Sequence, residues 1–481
     1  MSGFASRHVV MAIAFVVALA AAAPASAGVR PAWGGTLRVA VPAAPGASEG
    51  RGDAADLLVL RATSAPLLEL DARGRLLPAA LAVVPAPEAD GRAFRLEVRP
   101  DLVDAAGRRV GASEVAARLA ALLQESPPSA AAFVALPIVG ADAVLEGRTR
   151  ALAGVKVLSA TELLVTLAFP LPQFPLLLAT APAGLPGAGP FVEERPVGPG
   201  EPRRLVRNDR YFAGRPFADA VEVQGRDARA AARLLEGGEL DLALRPEPLG
   251  TRAAALPKLG VTVAVIGADR LGAAAEPLRR AVAAIDRAEL ARRFVRGAAV
   301  PLATVIPPAL LPSAPQPQAP GAPAGAPPAR IVLVADAGAP DQRALAERIQ
   351  VKLFDRGVRT ALELVAGEAR LRARLAARDW DVALVPVAVL APDPALAAGQ
   401  VAFAARGGAA ARRVTAELAA LATDATALST AADRIAAELG IVPLVASGLR
   451  ASAGGALEGL AVRPDGAIDS AALWRLGGGA P

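Results

Sequence analysis

Short runs in which apolar and polar positions alternate are spaced along most of this chain, and longer stretches with helical spacing fall between them. Gly35–Pro42 (GTLRVAVP), Ala65–Leu70, Arg92–Val98 (RAFRLEV), Glu162–Ala168, Ala220–Val223 and Val261–Ile266 carry the two-residue period of strands. Asp71–Gly74 reads as a turn, and Val155–Leu158 pairs with Glu162–Ala168 as a hairpin. Helical spacing predicts helices near Asp53–Ala62, Glu114–Gln124, Asp227–Glu236, Glu276–Arg296, Gln342–Phe354 and Glu368–Ala377, with two more between Ala409 and Leu439. Further strands are expected at Phe191–Glu194, Arg204–Val206, Leu240–Leu244, Ile331–Val334, Arg359–Leu364, Val382–Val385, Ile441–Ala446 and Leu460–Val462. Alternating β and α elements predict an α/β fold with mixed sheets. Two Pro-dense stretches interrupt the pattern, Pro182–Pro190 and Pro312–Pro328, and the second reads as an extended linker.

The N-terminus changes the picture. Arg7, the apolar run Val9–Ala22 and Ala25-Ser26-Ala27 have the charge, length and small-residue ending of a cleaved export signal, so the mature chain is expected to start at Gly28. No later stretch has the ~20 uninterrupted apolar residues of a membrane span. With no cysteine there is no lipidation site and no disulfide, and an exported, periplasmic, non-lipidated protein is expected. The length remaining implies two or three lobes.

Composition narrows the chemistry. His8, Met1 and Met11 all lie within the export segment, so the rest of the chain has no imidazole, thiol or thioether. That removes Ser-His and Cys nucleophile systems and the usual zinc, copper and haem ligand sets, so no enzyme activity, cofactor or metal is expected. The net charge of +6 is spread through mixed segments such as Arg226-Asp227-Ala228-Arg229, without basic blocks interleaved with aromatics, and nucleic-acid binding is not expected.

Taken in order, several segments carry a family likeness. They are Gly34-Gly35-Thr36-Leu37-Arg38-Val39-Ala40, Ala65–Asp71 with Gly74–Pro78, Asp90–Pro100, Ser113-Glu114-Val115, Arg207–Phe217, Gly237–Asp241, Leu278–Arg287 and Arg378–Leu384. Together they resemble the periplasmic solute-binding proteins of oligopeptide, dipeptide and nickel import systems, extracellular solute-binding family 5, over about Gly34 to Leu476. The resemblance implies a two-lobed periplasmic binding protein fold with a hinge between the lobes and an extra subdomain in the first. It also implies that a small solute, peptide-like or other, is captured between the lobes and delivered to an inner-membrane ABC permease. The expected division is a signal at 1–27, lobe I from 28–70 and 187–262, the extra subdomain at 71–186, lobe II at 263–455 with the linker at 312–329, and a C-terminal return to lobe I at 456–481.

Departures from the family pattern matter for the ligand. Where peptide-binding members carry a carboxylate that pairs with a peptide α-amine, ungapped matching places Leu390, in Val387–Pro394 (VAVLAPDP). Aromatic residues are only 3% of the chain, whereas peptide pockets tend to be aromatic-lined.

Six residues are candidate ligand contacts, each with a plainer alternative. Asp393 follows a strand end and matches the family's Asp-Pro, or it caps a helix before Ala395–Ala398. Arg270 follows the Val261–Ile266 strand and is suited to gripping a carboxylate, or it is a solvated surface arginine. Glu49, Arg51 and Asp53 follow the first strand, where lobe I meets ligand in the family, and capping explains Asp53 equally well. Trp380 is placed to stack on a ligand or to pack in a core. A second reading stays open throughout, a degenerate binding-protein fold that acts as a protein-interaction or sensory module without a transport ligand.

Overall fold

The structure is a computed structural model that describes residues 31–42, 54–195, 198, 201–250, 252–313, 325–339, 341–421 and 424–476. The expected signal, the candidates Glu49, Arg51 and Asp53, and most of the Pro312–Pro328 stretch lie outside the described residues.

Two mixed sheets organise the chain. The first has seven strands in the spatial order Phe191–Glu193, Arg203–Arg207, Ala220–Gly225, Thr36–Val41, Leu242–Arg245, Arg450–Ala453 and Ala253–Ala255. Thr36–Val41 lies at its centre, parallel to both neighbours, and its apolar positions Leu37 and Val39 turn into the core while Arg38 stays outside. The second has six strands in the order Val300–Pro301, Ile441–Ser447, Gly260–Ile266, Val382–Ala388, Arg330–Asp336 and Arg359–Val365. Helices cover both of its faces. Leu278, Leu345 and Ile349 pack against one, and Val401, Leu418 and Ile435 against the other. Near-continuous apolar strands such as Gly260–Ile266 follow from this double coverage.

Inserted between two strands of the first sheet, Pro87–Thr166 contains a four-stranded antiparallel sheet with an apolar core around Phe94, Leu96, Leu119 and Phe174. This extra subdomain also reaches the second lobe. Ala391, Leu396, Phe403 and Ala411 belong to the same core, Phe133 and Phe403 lie 6.4 Å apart, and Arg412 pairs with Asp142 at 2.6 Å.

The chain passes between the two large sheets twice, side by side. Ala253–Ala255 leads through Leu256–Leu259 into Gly260–Ile266, and Ile441–Ser447 returns through Gly448 and Leu449 into Arg450–Ala453. The backbone N–H of Leu256 donates to the Leu449 carbonyl at 2.9 Å, so the crossings form a paired, two-stranded connection.

Several expectations are corrected. Glu276–Arg296 is not one helix but two, Ala275–Ala283 and Arg287–Phe294. Asp286 breaks it by accepting from the N–H groups of Ala288 and Glu289, at 2.9 and 3.1 Å, which starts a new helix. Leu460–Val462 forms no strand and makes only an isolated bridge from Val462 to Ile468. The helix expected after Asp393 runs well beyond Ala398, over Pro394–Arg406, and the Arg450–Ala453 strand is not among the expected elements.

Candidate inter-lobe cleft

Beside the paired crossings lies a cavity of about 290 Å³ between the two large sheets. Leu57, Leu58 and Leu244 form part of its first wall, and Leu259, Val261, Val387 and Leu390 part of the second. Most of the surface is apolar, and polar side chains enter as three small sets and Ser447. On the first wall Arg61 and Asp465 form an ion pair, and the other oxygen of Asp465 accepts from the Ala467 N–H at 3.0 Å. Asp465 is almost fully buried, which binds the C-terminal return to the Ala54–Thr63 helix.

On the second wall Arg296 donates from Nε and from its backbone N–H to the carboxylate of Asp341, at 2.7 and 3.1 Å. Asp341 has φ of 63°, in the left-handed region that aspartate tolerates better than most residues. It directly precedes the Gln342–Phe354 helix. Gln342 is buried; its Nε2 donates to Thr262 Oγ1 at 2.8 Å, and its Oε1 has no hydrogen-bond partner among the described residues.

The end of the Val382–Ala388 strand closes this wall. Gln400, on the Pro394–Arg406 helix, brackets it: Oε1 accepts from the Leu390 N–H at 2.9 Å and Nε2 donates to the Ala388 carbonyl at 2.5 Å. The Val389 N–H donates to the Leu259 carbonyl at 2.9 Å. The Ala388 carbonyl and the Val389 and Leu390 N–H groups at this strand end are thus already partnered.

A second cavity, of about 600 Å³, lies between the extra subdomain (Pro127, Pro128, Leu145) and the second lobe (Leu371, Trp380, Phe403), and Pro386–Ala388 line both cavities. Arg372 spans its edge by donating to the Pro127 carbonyl at 2.7 Å.

Three of the six candidates fall among described residues, and none of them lines the inter-lobe cavity. Asp393 stands at the N-terminus of the Pro394–Arg406 helix and accepts from the Leu396 N–H at 2.9 Å; burial pushes its carboxyl above the ordinary range, against the pull of the Leu396 and Ala395 N–H groups. Arg270 pairs with the buried Asp381 at 3.0 Å and donates to the Asp379 carbonyl at 2.6 Å. Trp380 is buried on the wall of the second cavity, with its indole N–H donating to the Leu375 carbonyl at 3.2 Å. Arg270 and Trp380 meet the same short segment, and Asp393 stands apart from it. The residues that do line the cleft, Gln342, Thr262, Asp341, Arg296, Arg61 and Asp465, carry no motif; they come from separate segments that only the fold assembles.

The chain belongs to a known family. The model for bacterial extracellular solute-binding proteins, family 5, matches residues 77–402. Among solved structures it is similar to the Escherichia coli murein tripeptide binding protein MppA, at 17% identity over 93% of this chain and 99% of that one, with a TM-score of 0.73. It is also similar to Haemophilus influenzae OppA, solved in complex with RPPGFSPFR, at 14% identity over 93% and 100% of the two chains, with a TM-score of 0.74. Burkholderia pseudomallei OppA gives 16% identity over 92% and 99%, with a TM-score of 0.71. A comparison with curated proteins finds no match. These similarities carry the fold, two-lobed and mixed α/β, as the resemblance implied. No helix among the described residues is long and apolar enough to cross a membrane.

Proposed function

We propose that this protein is the exported solute-binding component of an ABC-type importer, which captures a small solute between its lobes in the periplasm and hands it to an inner-membrane permease. The observation that carries the reading is the cavity beside the paired crossings at Leu256–Leu259 and Gly448–Leu449, where a change in the angle between lobes opens or closes one site. The wall is mostly apolar with a few placed polar groups, the make-up of a small-molecule site, and no covalent step is assigned to it. MppA is a murein tripeptide binding protein and the Haemophilus influenzae OppA structure holds RPPGFSPFR, which favours a peptide-related solute here.

A thermal-shift screen of the full chain against di- and oligopeptides, amino acids, opines and small sugars tests this. A solute that binds only the folded protein adds about 2.7 kcal/mol at a hundredfold excess over Kd, a clear shift. The alternative, an interaction or sensory module, is supported by Leu390 standing where a carboxylate is expected, and a flat screen on folded protein favours it.

A further inference from the structure

Among the described residues, the charges that line the cleft are paired with each other within the protein. The cavity wall carries two arginines and two aspartates, and each cation is held by a carboxylate of the same lobe, Arg61 by Asp465 and Arg296 by Asp341. Asp465 is nearly fully buried and Asp341 largely so, so drawing either arginine away to a ligand would strand a buried carboxylate, a costly exchange. An ionic ligand terminus would likewise lose its water without gaining a free counter-charge on the described wall. Three main-chain groups at the strand end that faces the cleft are also taken up within the protein. Gln400 occupies the Leu390 N–H and the Ala388 carbonyl, and Leu259 accepts from Val389. Among the described residues an extended zwitterionic peptide therefore finds no unpaired charge for its termini, and the Ala388 carbonyl and the Val389 and Leu390 N–H groups of the strand end are already taken.

Among the described lining residues, one buried side-chain polar atom lacks a partner. The Gln342 amide is buried at the cleft wall with Nε2 on Thr262 and Oε1 without a partner among the described residues, a state that costs free energy until a donor arrives. A flip of the amide exchanges the roles, with Oε1 accepting from the Thr262 hydroxyl and Nε2 offering a donor. The cavity volume, about 290 Å³, lies at the small end of ligand sites, roughly 300–1,000 Å³.

We infer that the inter-lobe cleft takes a compact, mostly apolar solute without an ionic terminus, held by a hydrogen bond to the side-chain amide of Gln342. This rests on the solute-binding reading and specifies its ligand class. Neutral amides, including capped or cyclised peptide fragments, have this chemistry.

The test changes the charge of each terminus separately, amide for carboxylate at nearly constant shape and acetyl for a free amine with a small added cap. Isothermal titration calorimetry of the purified full chain is run with N-acetyl-leucinamide (neutral), N-acetyl-leucine (anionic), leucinamide (cationic) and leucine (zwitterionic). N-acetyl-leucinamide is expected to bind at least about tenfold tighter than each of the other three. Gln342→Glu keeps the side-chain shape and adds a negative charge at the wall, and is expected to invert the order so that leucinamide binds best. Gln342→Ala is expected to weaken N-acetyl-leucinamide at least about threefold with no change in thermal midpoint beyond that of Gln342→Glu. Equal or tighter binding of any charged form to the unmodified chain overturns the inference, as does an unchanged order in Gln342→Glu. Binding of none of the four also overturns it. In that last case longer zwitterionic peptides are titrated next: if they bind, the solute-binding reading stands without the neutral-ligand inference, and if they do not, both fall.

Discussion

Gly448 and Lys258 lie back to back where the chain passes between the lobes: a Cβ on Gly448 would stand 3.1 Å from the Cα of Lys258 and 3.1 Å from the Pro257 carbonyl oxygen. The two crossings are packed as closely as backbone allows, and the neighbouring Leu256–Leu449 hydrogen bond depends on that spacing. Gly448→Ala is therefore expected to push the crossings apart and to lose about 1–3 kcal/mol of stability. Gly455→Ala is the control, since nothing lies within 4 Å of its added methyl, and it should stay within about 0.5 kcal/mol of the parent. Urea unfolding of the two variants checks this; equal midpoints would show that the crossings are not tightly packed.

A second close approach joins the extra subdomain to the second lobe. Gly399 sits mid-way along the buried Pro394–Arg406 helix, where an added Cβ would overlap Thr415 Oγ1 and come within 3.1 Å of the Phe133 ring. Gly399→Ala is expected to destabilise by about 1–3 kcal/mol. Thr415→Ala removes a hydroxyl that has no hydrogen-bond partner among the described residues, so it should be mild alone and should return part of the loss in the double variant. Strict additivity in a double-mutant cycle would contradict the contact.

The Gly399 helix shows what the sequence could and could not convey. Helices with one wet face, such as Ala228–Glu236, announce themselves by their spacing, and Gln342–Phe354 was expected with the bounds observed. From Ala395 to Phe403 every residue of Pro394–Arg406 is buried, so no apolar stripe stands out against a polar one and the periodic signal vanishes. Arg450–Ala453 (RASA) is a strand because its neighbours Leu242–Arg245 and Ala253–Ala255 lie on either side, not because its own residues favour one. The cleft was least legible. Its polar groups, from Arg61 to Asp465, are separated by most of the chain length, whereas Arg270 and Trp380 drew attention through local features and pair with nearby backbone and Asp381.

Asp393 offers a prediction with a sign in pH. Its carboxyl is raised in the folded protein, chiefly by burial, so the native state holds its proton more tightly than the unfolded chain. Stability from this group is greatest below the unfolded value and declines as pH rises through the raised folded value. Asp393→Asn retains a cap for the Leu396 N–H and removes the buried charge, so it should equal or exceed the parent at pH 7 and flatten the pH dependence just above pH 4. Asp393→Ala removes the cap and should cost about 0.5–2 kcal/mol. Thermal midpoints from pH 3 to 8 check this; a Asn variant less stable than the Ala variant at pH 7 would show that the ionised carboxylate has another partner.

The central claim is that a solute is captured by closure of the two lobes, and the chain's lack of cysteine allows a direct test. Cysteines introduced at the exposed positions Glu236, on the first lobe, and Val351, on the second, give two unique sites for spin labels. Double electron–electron resonance then reads the distance between lobes with and without a saturating solute identified by the thermal-shift screen. Capture by closure predicts that the solute narrows the distribution and moves it to shorter distance. An identical distribution in the free and saturated protein would contradict it.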